Sequence, residues 1–258
     1  MHPVLFKIGN ITLYTYGSFV ALGFFTAVMV SRIFAKKNNI DPQKMTDLIF
    51  TIMVSALIGA RLLYVIINFE FYKNDLIAIF KLWDGGLVFY GGFIVGVMGS
   101  YLFIKINKLP LWKAADVIAP SIALGHAVGR IGCFFSGCCY GKECSYPWAV
   151  KFSDPLSLAP LGVFLHPTQI YMVVSNSLIF LILLLIYRVK KFHGMVFFCY
   201  LLIYSVFRSY IETYRGDFRG DFFKFPISVS QGISLITGLI SIYMLFYLYK
   251  RDNDSAKI

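Results

Sequence analysis

Residues 46–67 read TDLIFTIMVSALIGARLLYVII, and this run decides the fold. At 1.5 Å per residue it makes a helix about 33 Å long, enough to cross a hydrocarbon layer about 30 Å thick. Its one charge beyond the first turn is Arg61, and a cation at that depth is costly enough to imply a function or a dedicated partner. Six further apolar runs of comparable length lie at 16–35, 86–107, 112–135, 167–188, 194–214 and 228–249. Composition agrees: 58% of the 258 residues are hydrophobic, only 14% are charged and mean hydropathy is +0.71, whereas about a quarter of a soluble domain is charged. The expected fold is an all-α integral membrane protein of seven transmembrane helices. It forms one transmembrane domain over residues 1–258, with 137–166 as an external loop segment.

The 26 phenylalanines and 17 tyrosines suit lipid-facing helices that end in interfacial aromatic belts. Thirteen Lys and Arg flank one set of helix ends, among them Arg32, Lys36, Lys37 and Lys44. Eight flank the other, over longer segments that include Arg215, Arg219 and Lys224. Positive charge is retained inside, so the N-terminus is expected outside and the C-terminus in the cytoplasm. The net charge of +11 is read as topology and attraction to anionic membrane lipids; no nucleic-acid platform is present. MHPVLFKIGNITLY lacks the basic and apolar regions of a cleavable signal, leaving the first helix to target the chain. Residues 68–86, NFEFYKNDLIAIFKLWDGG, mix aromatics with charges as an interfacial helix does. The final DNDSAKI reads as a disordered tail.

The chemistry gathers at residues 126–152, HAVGRIGCFFSGCCYGKECSYPWAVKF, on the expected outer side. His126, Arg130, Cys133 and Gly137 share one helical face if the helix persists that far. Arg61, Arg130 and Arg208 all fall within spans and need anionic partners. Glu212 stands one turn from Arg208, and Asp47 and Asp116 lie near the opposite ends of their spans. Arg61 and Arg130 have no local carboxylate, and a lipid phosphate would satisfy each through the planar fork that favours Arg over Lys. The cysteines run C-x4-C-C-x4-C, which matches no usual zinc spacing, so no metal is expected. On an oxidising face a disulfide from Cys138 or Cys139 to Cys144 is expected instead. Cys199 reads as a packed apolar residue. Thr168 and Gln169, opening the fifth span, could present their side chains to the same outer chamber.

Several motifs in order carry a resemblance over nearly the whole chain. They are Tyr16-Gly17, Gly59-Ala60-Arg61 with Tyr64, and Trp83-Asp84-Gly85-Gly86 with Gly91-Gly92. Gly129-Arg130-Ile131-Gly132, Tyr140-Gly141 and Pro147-Trp148 follow, then His166-Pro167-Thr168-Gln169 with Tyr171, and Phe207-Arg208 with Glu212 and Arg215. Together they resemble the bacterial prolipoprotein diacylglyceryl transferases of the cytoplasmic (inner) membrane. The resemblance implies transfer of a diacylglyceryl group from phosphatidylglycerol to a lipoprotein-precursor cysteine, releasing glycerol phosphate without a cofactor. By this resemblance Arg130 and Arg208 bind the phosphate, Glu212 orients Arg208 and Tyr16 holds the headgroup. Arg61, Cys133 and Gly141 complete the expected substrate-binding set.

The chain departs from the family pattern inside that set. Tyr90 stands where the family has a histidine before the Gly91-Gly92 pair, and Cys133, Ser136 and Cys138 replace its asparagines and glutamate. A neutral phenol is a poor base, and of the four histidines His126 is one turn from Arg130. His126 is therefore expected to take the thiol proton, with Tyr90 donating a hydrogen bond and His166 next in line. Two other readings stay open: a phospholipid-dependent transferase with another acceptor, and a lipid-binding or transport protein without enzymatic activity.

Overall fold

A computed structural model describes residues 2–9, 11–73, 75–81, 85–217, 221–222 and 225–255. Trp83, Asp84, Arg219, Lys224 and the last three residues, all used in the reading above, lie outside the described set. Among the described residues seven helices are long and apolar enough to cross a membrane. They are α1 (Thr15–Lys37), α2 (Pro42–Ile67), α4 (Phe89–Ile106), α5 (Leu111–Ser136), α6 (Thr168–Val189), α7 (Met195–Glu212) and α8 (Val229–Ser255); α3 (Phe69–Tyr72) is a single short turn. The chain packs as two compact units, residues 32–114 and residues 1–31 with 115–258.

In the 32–114 unit, α2 starts four residues before the apolar run because Asp41 caps it, accepting from the Gln43 amide at 2.8 Å, and Pro42 occupies the first turn. Glycines let α2 and α4 approach to backbone contact: a methyl on Gly59 or Gly91 would overlap the other's carbonyl oxygen, and one on Gly92 would lie 2.9 Å from Ala56 O. Leu57, Ile58, Leu62 and Ile66 on α2 stay exposed, as lipid-facing residues do. The expected interfacial helix over 68–86 is interrupted. It forms α3 and then a 3₁₀ turn, Leu76–Phe80, because Asp75 accepts from the amides of Ile77 and Ala78 and starts the chain afresh.

Arg61 binds the described parts of this segment, at residues 78–81 and at Gly85 and Gly86. Its Nε donates to Ile79 O at 2.8 Å, Nη1 to Gly85 O and Gly86 O at 2.5 and 3.2 Å, and Nη2 to Ala78 O and Lys81 O at 2.7 and 3.1 Å. The rings of Tyr64 and Tyr72 lie 5.8 and 5.5 Å from the guanidinium. All five N–H donors of a guanidinium are thereby spent on carbonyls.

In the other unit, β1 (Val4–Ile8) and β2 (Ile11–Tyr14) form an antiparallel hairpin that turns at Gly9, φ 57°. Thr15 ties it to α1 by donating Oγ1 to His2 O at 2.6 Å. Gly23 on α1 and Gly125 on α5 let these helices touch, a methyl on Gly23 lying 2.6 Å from Gly125 O. Ala119 and Ala123 of α5, Ile179 and Leu183 of α6, and Val196 and Tyr200 of α7 form the buried core. Asp116, fully buried, does not serve the intramembrane arginines: its carboxylate accepts from the amides of Gly194 and Phe197 at 2.9 and 3.0 Å, starting α7, with Lys190 Nζ 3.6 Å away. Asp47 accepts from Gln43 Nε2 at 2.9 Å.

Residues 137–166, the expected loop segment, carry a small folded module. β3 (Val150–Lys151) pairs with β4 (Phe164–Leu165) over a core of Phe152, Ala159 and Leu165. β5 (Asp221–Phe222) and β6 (Phe225–Ser228) make a third ladder. The expected disordered tail is instead helical through Ser255, continuing α8.

The glycine contacts make a prediction. Gly59→Val should lower stability by about 1–3 kcal/mol through overpacking against α4, read as an earlier thermal unfolding transition in detergent. Gly17→Ala, with nothing within 4 Å, should leave the transition within error. Arg61→Lys should make the chain at residues 76–81 cleave several-fold faster under limited proteolysis, since one ammonium offers three donors for five carbonyls. An unchanged cleavage pattern would remove Arg61 as the clasp.

Candidate functional site

Arg130 projects from the last two turns of α5. Its Nε donates to His126 Nε2 at 3.0 Å and its Nη1 to Cys139 Sγ at 3.5 Å. Three of its five N–H donors are directed at nothing among the described residues, and it makes no ion pair there. Half-buried and with donors to spare, it differs in kind from Arg61. His126 spends its Nε2 lone pair on this contact, so the ring can accept a proton there only by releasing Arg130. In this geometry His126 holds Arg130 in place.

Arg208 is buried on α7 and pairs with Glu212 one turn on, without the alignment of a hydrogen bond. Its Nη2 donates to Ser230 Oγ at 2.9 Å, and Glu212 Oε1 accepts from Ser228 Oγ at 3.1 Å. The i,i+4 spacing of Arg208 and Glu212 was legible in sequence; the serines, Ser228 at the end of β6 and Ser230 at the start of α8, were not. Arg215 grips Asp217 through Nε and Nη2 at 2.7 and 2.6 Å and lies 4.0 Å from Glu212. Burial opposes its charge, but the Asp217 and Cys139 contacts outweigh burial and raise the guanidinium above its usual range. Arg130, Arg208 and Arg215 lie within electrostatic range of one another.

Tyr16 is close by on α1, half-exposed, where a methyl on Gly132 would sit 3.1 Å from Tyr16 O and 2.8 Å from Phe19 Cβ. Phe19 stacks on Phe135 at 5.5 Å. Gly141 is where three segments cross: its amide donates to His166 O at 3.1 Å, it bridges Arg215, and any side chain would strike His166 and Tyr214 O. Only glycine fits there. Tyr90 and Arg61 belong to the 32–114 unit, Tyr90 half-exposed in the first turn of α4 with Phe89 at 5.8 Å.

The cysteines are arranged otherwise than expected. α5 ends at Ser136 and Gly137 turns the chain with φ 74°, so Gly137 stops the helix rather than extending its face. The loop folds back so that Cys138 and Cys139 meet Cys133, their three sulfurs within 4.8 Å of one another. Cys144 is outside this group, and no disulfide joins any of the five cysteines. Thr168 and Gln169 are buried and do not line an open chamber; Thr168 Oγ1 donates to Cys139 O at 2.7 Å and Gln169 Nε2 to Cys138 O at 2.9 Å. Hydrogen bonds from Cys133 and Cys138 hold the Cys139 thiol well below its ordinary range, with Arg130 assisting and burial opposing. His166 Nδ1 meets Tyr171 Oη at 3.0 Å, and Trp148 Nε1 donates to the same oxygen at 2.8 Å.

Among known families, the chain matches the one described as "Prolipoprotein diacylglyceryl transferase" over residues 3–247. It is 37% identical over 246 residues to a phosphatidylglycerol--prolipoprotein diacylglyceryl transferase of Clostridium tetani, covering 95% of this chain and 96% of that protein. A protein of the same name from Thermosynechococcus vestitus is 32% identical over 94% of this chain and 91% of its own length. One from Clostridium botulinum is 32% identical over 98% and 99%.

The thiol arrangement predicts that all five cysteines of unreduced, denatured protein label with an alkylating reagent, and a linked Cys138–Cys144 or Cys139–Cys144 peptide would contradict it. In folded protein, the alkylation rate of Cys139 should fall less steeply between about pH 8 and about pH 6 than that of free cysteine in the same buffer. The sign follows from the lowered Cys139 value: its thiolate persists as pH drops through the ordinary thiol range.

Proposed function

Because this chain belongs to the prolipoprotein diacylglyceryl transferase family, we propose that it is the enzyme that moves a diacylglyceryl group from phosphatidylglycerol to the cysteine thiol of a lipoprotein precursor. It does so as a multi-pass protein of the bacterial inner membrane. The acceptor left open by Tyr90, Cys133 and Cys138 is the one carried in the relatives' names. The bias of Lys and Arg toward one set of helix ends supports an outer N-terminus and a cytoplasmic C-terminus.

The observation that carries the reading is the unspent half of Arg130. Attack of the precursor thiolate on the glycerol carbon breaks a carbon–oxygen bond and leaves its electron pair on the phosphate, which departs as glycerol phosphate with one more negative charge. Arg130, with three uncommitted N–H donors, and Arg208, in unaligned contact with Glu212, supply donors where that charge grows. His126 keeps Arg130 in place from the same helix. Tyr16 supports the headgroup from α1, and Glu212 restrains Arg208 until the phosphate arrives. The thiol proton goes to His166, whose Nε2 has no hydrogen-bond partner among the described residues. Its Nδ1 is held by Tyr171 and, through it, Trp148. Arg61 acts on the 76–86 segment and is not a phosphate ligand in this reading.

Arg130→Lys should lower diacylglyceryl transfer at least about 100-fold, measured as the mass gained by a precursor peptide in phosphatidylglycerol micelles. Arg208→Lys should do likewise. His166→Gln should abolish transfer with phosphatidylglycerol KM unchanged, whereas His126→Ala should chiefly raise that KM and His126→Gln, which restores an acceptor, should recover it. Normal turnover in both Lys variants would refute the phosphate clamp, and normal turnover in His166→Gln would return the proton to another group.

A further inference from the structure

Three thiols that the proposed transfer does not use converge beside Arg130. Cys133 comes from the last turn of α5 and Cys138 and Cys139 from the loop that follows, with all three sulfurs within 4.8 Å of one another. We propose that they form a binding site for a single thiophilic cation, of the soft class that includes cadmium, zinc and copper(I).

The spacing of the sulfurs is the first argument. A metal–thiolate bond of about 2.3 Å puts sulfurs around one ion about 3.8–4.0 Å apart, so the group needs to close by less than an ångström. The sequence conceals this because C-x4-C-C is not a zinc spacing along a regular element. Two left-handed residues, Gly137 at φ 74° and Cys139 at φ 62°, reverse the chain and turn two adjacent cysteines toward the one on the helix. A left-handed backbone is uncommon at a residue other than glycine, and here it is held from outside. Thr168 Oγ1 grips Cys139 O and Gln169 Nε2 grips Cys138 O, while Ser136 Oγ donates to Cys138 Sγ at 3.3 Å. Such outer contacts are what orient the ligands of a metal site. Gln169 is 1% exposed and its Oε1 is buried without a hydrogen-bond partner, an acceptor on the amide that already holds the loop.

Charge is the second argument. The sulfurs bind as thiolates, releasing to solvent whatever thiol protons they still carry, and three thiolates around a divalent ion leave one net negative charge. Arg130, with Nη1 3.5 Å from Cys139 Sγ, and Arg215, which also contacts Cys139, compensate it. Soft sulfur ligands select this class of ion over magnesium or calcium.

The test titrates Cd2+ into the purified full-length chain in detergent, kept reduced by a phosphine, and follows sulfur-to-cadmium charge-transfer absorbance and native mass. One Cd2+ per chain is expected. Cys133→Ser, Cys138→Ser and Cys139→Ser should each weaken binding at least about tenfold, and Cys144→Ser and Cys199→Ser should not. On the unaltered chain, Cd2+ should protect Cys133, Cys138 and Cys139 from alkylation and leave the rate at Cys144 unchanged, which keeps the test valid if a variant misfolds. No bound cadmium, no protection, or binding lost in Cys144→Ser would overturn the site. Binding is read without turnover, so this result stands or falls separately from the transferase reading.

Discussion

A guanidinium keeps its charge at any accessible pH and carries five N–H donors, so an arginine within a membrane span must find acceptors for all of them or bind something that supplies the rest. The three arginines within the spans meet this demand differently. Arg61 meets it completely with five backbone carbonyls, and what it organises is a surface segment. Arg208 meets it through a carboxylate and a serine, in a pair that is close but unaligned. Arg130 meets two-fifths of it, through His126 and Cys139. The unmet remainder is what the proposed phosphate contact rests on.

Keeping Arg130 incomplete without losing it to solvent takes scaffolding from several elements. Glycines on α1 and α5 bring those helices into backbone contact, placing Tyr16 and Phe19 against the end of α5. The folded module at 137–166 returns over that end and is locked where Gly141 crosses His166 and Tyr214. Thr168 and Gln169, in the first turn of α6, then fasten the cysteine loop by its carbonyls. Each contact uses a side chain or backbone group that a solvent-facing loop would leave to water, and the module therefore behaves as part of the helical unit. The same contacts turn a pair of adjacent cysteines into two corners of a three-sulfur cluster.

Seven spans were readable because hydrophobic length is a one-dimensional property: a run long enough to cross the bilayer is visible without knowing its neighbours. The spans observed match the apolar runs to within about six residues at either end; the four-residue extension of α2 arises from Asp41 and Pro42, whose capping is also a local signal, and the longest extension is at the end of α8. The interrupted segment after α2 shows where local reading weakened, since Asp75 had the signature of a cap inside what looked like one amphipathic run. The Arg208–Glu212 pair was equally open to sequence, being one helical turn long.

What the sequence alone determined, then, was the membrane class, the number of spans and which charged residues had to be exceptional. Which arginine is satisfied and which is not, that His126 faces Arg130 through its lone pair, and that Cys138 and Cys139 meet Cys133 instead of Cys144 were decided by tertiary structure. The physical reason is that these contacts depend on carbonyls and side chains supplied from up to thirty-one residues away, as Gln169 is from Cys138, and on left-handed turns at Gly137 and Cys139. Periodicity and spacing carry information along one element; the direction in which a donor finds its acceptor is set only when separate elements pack.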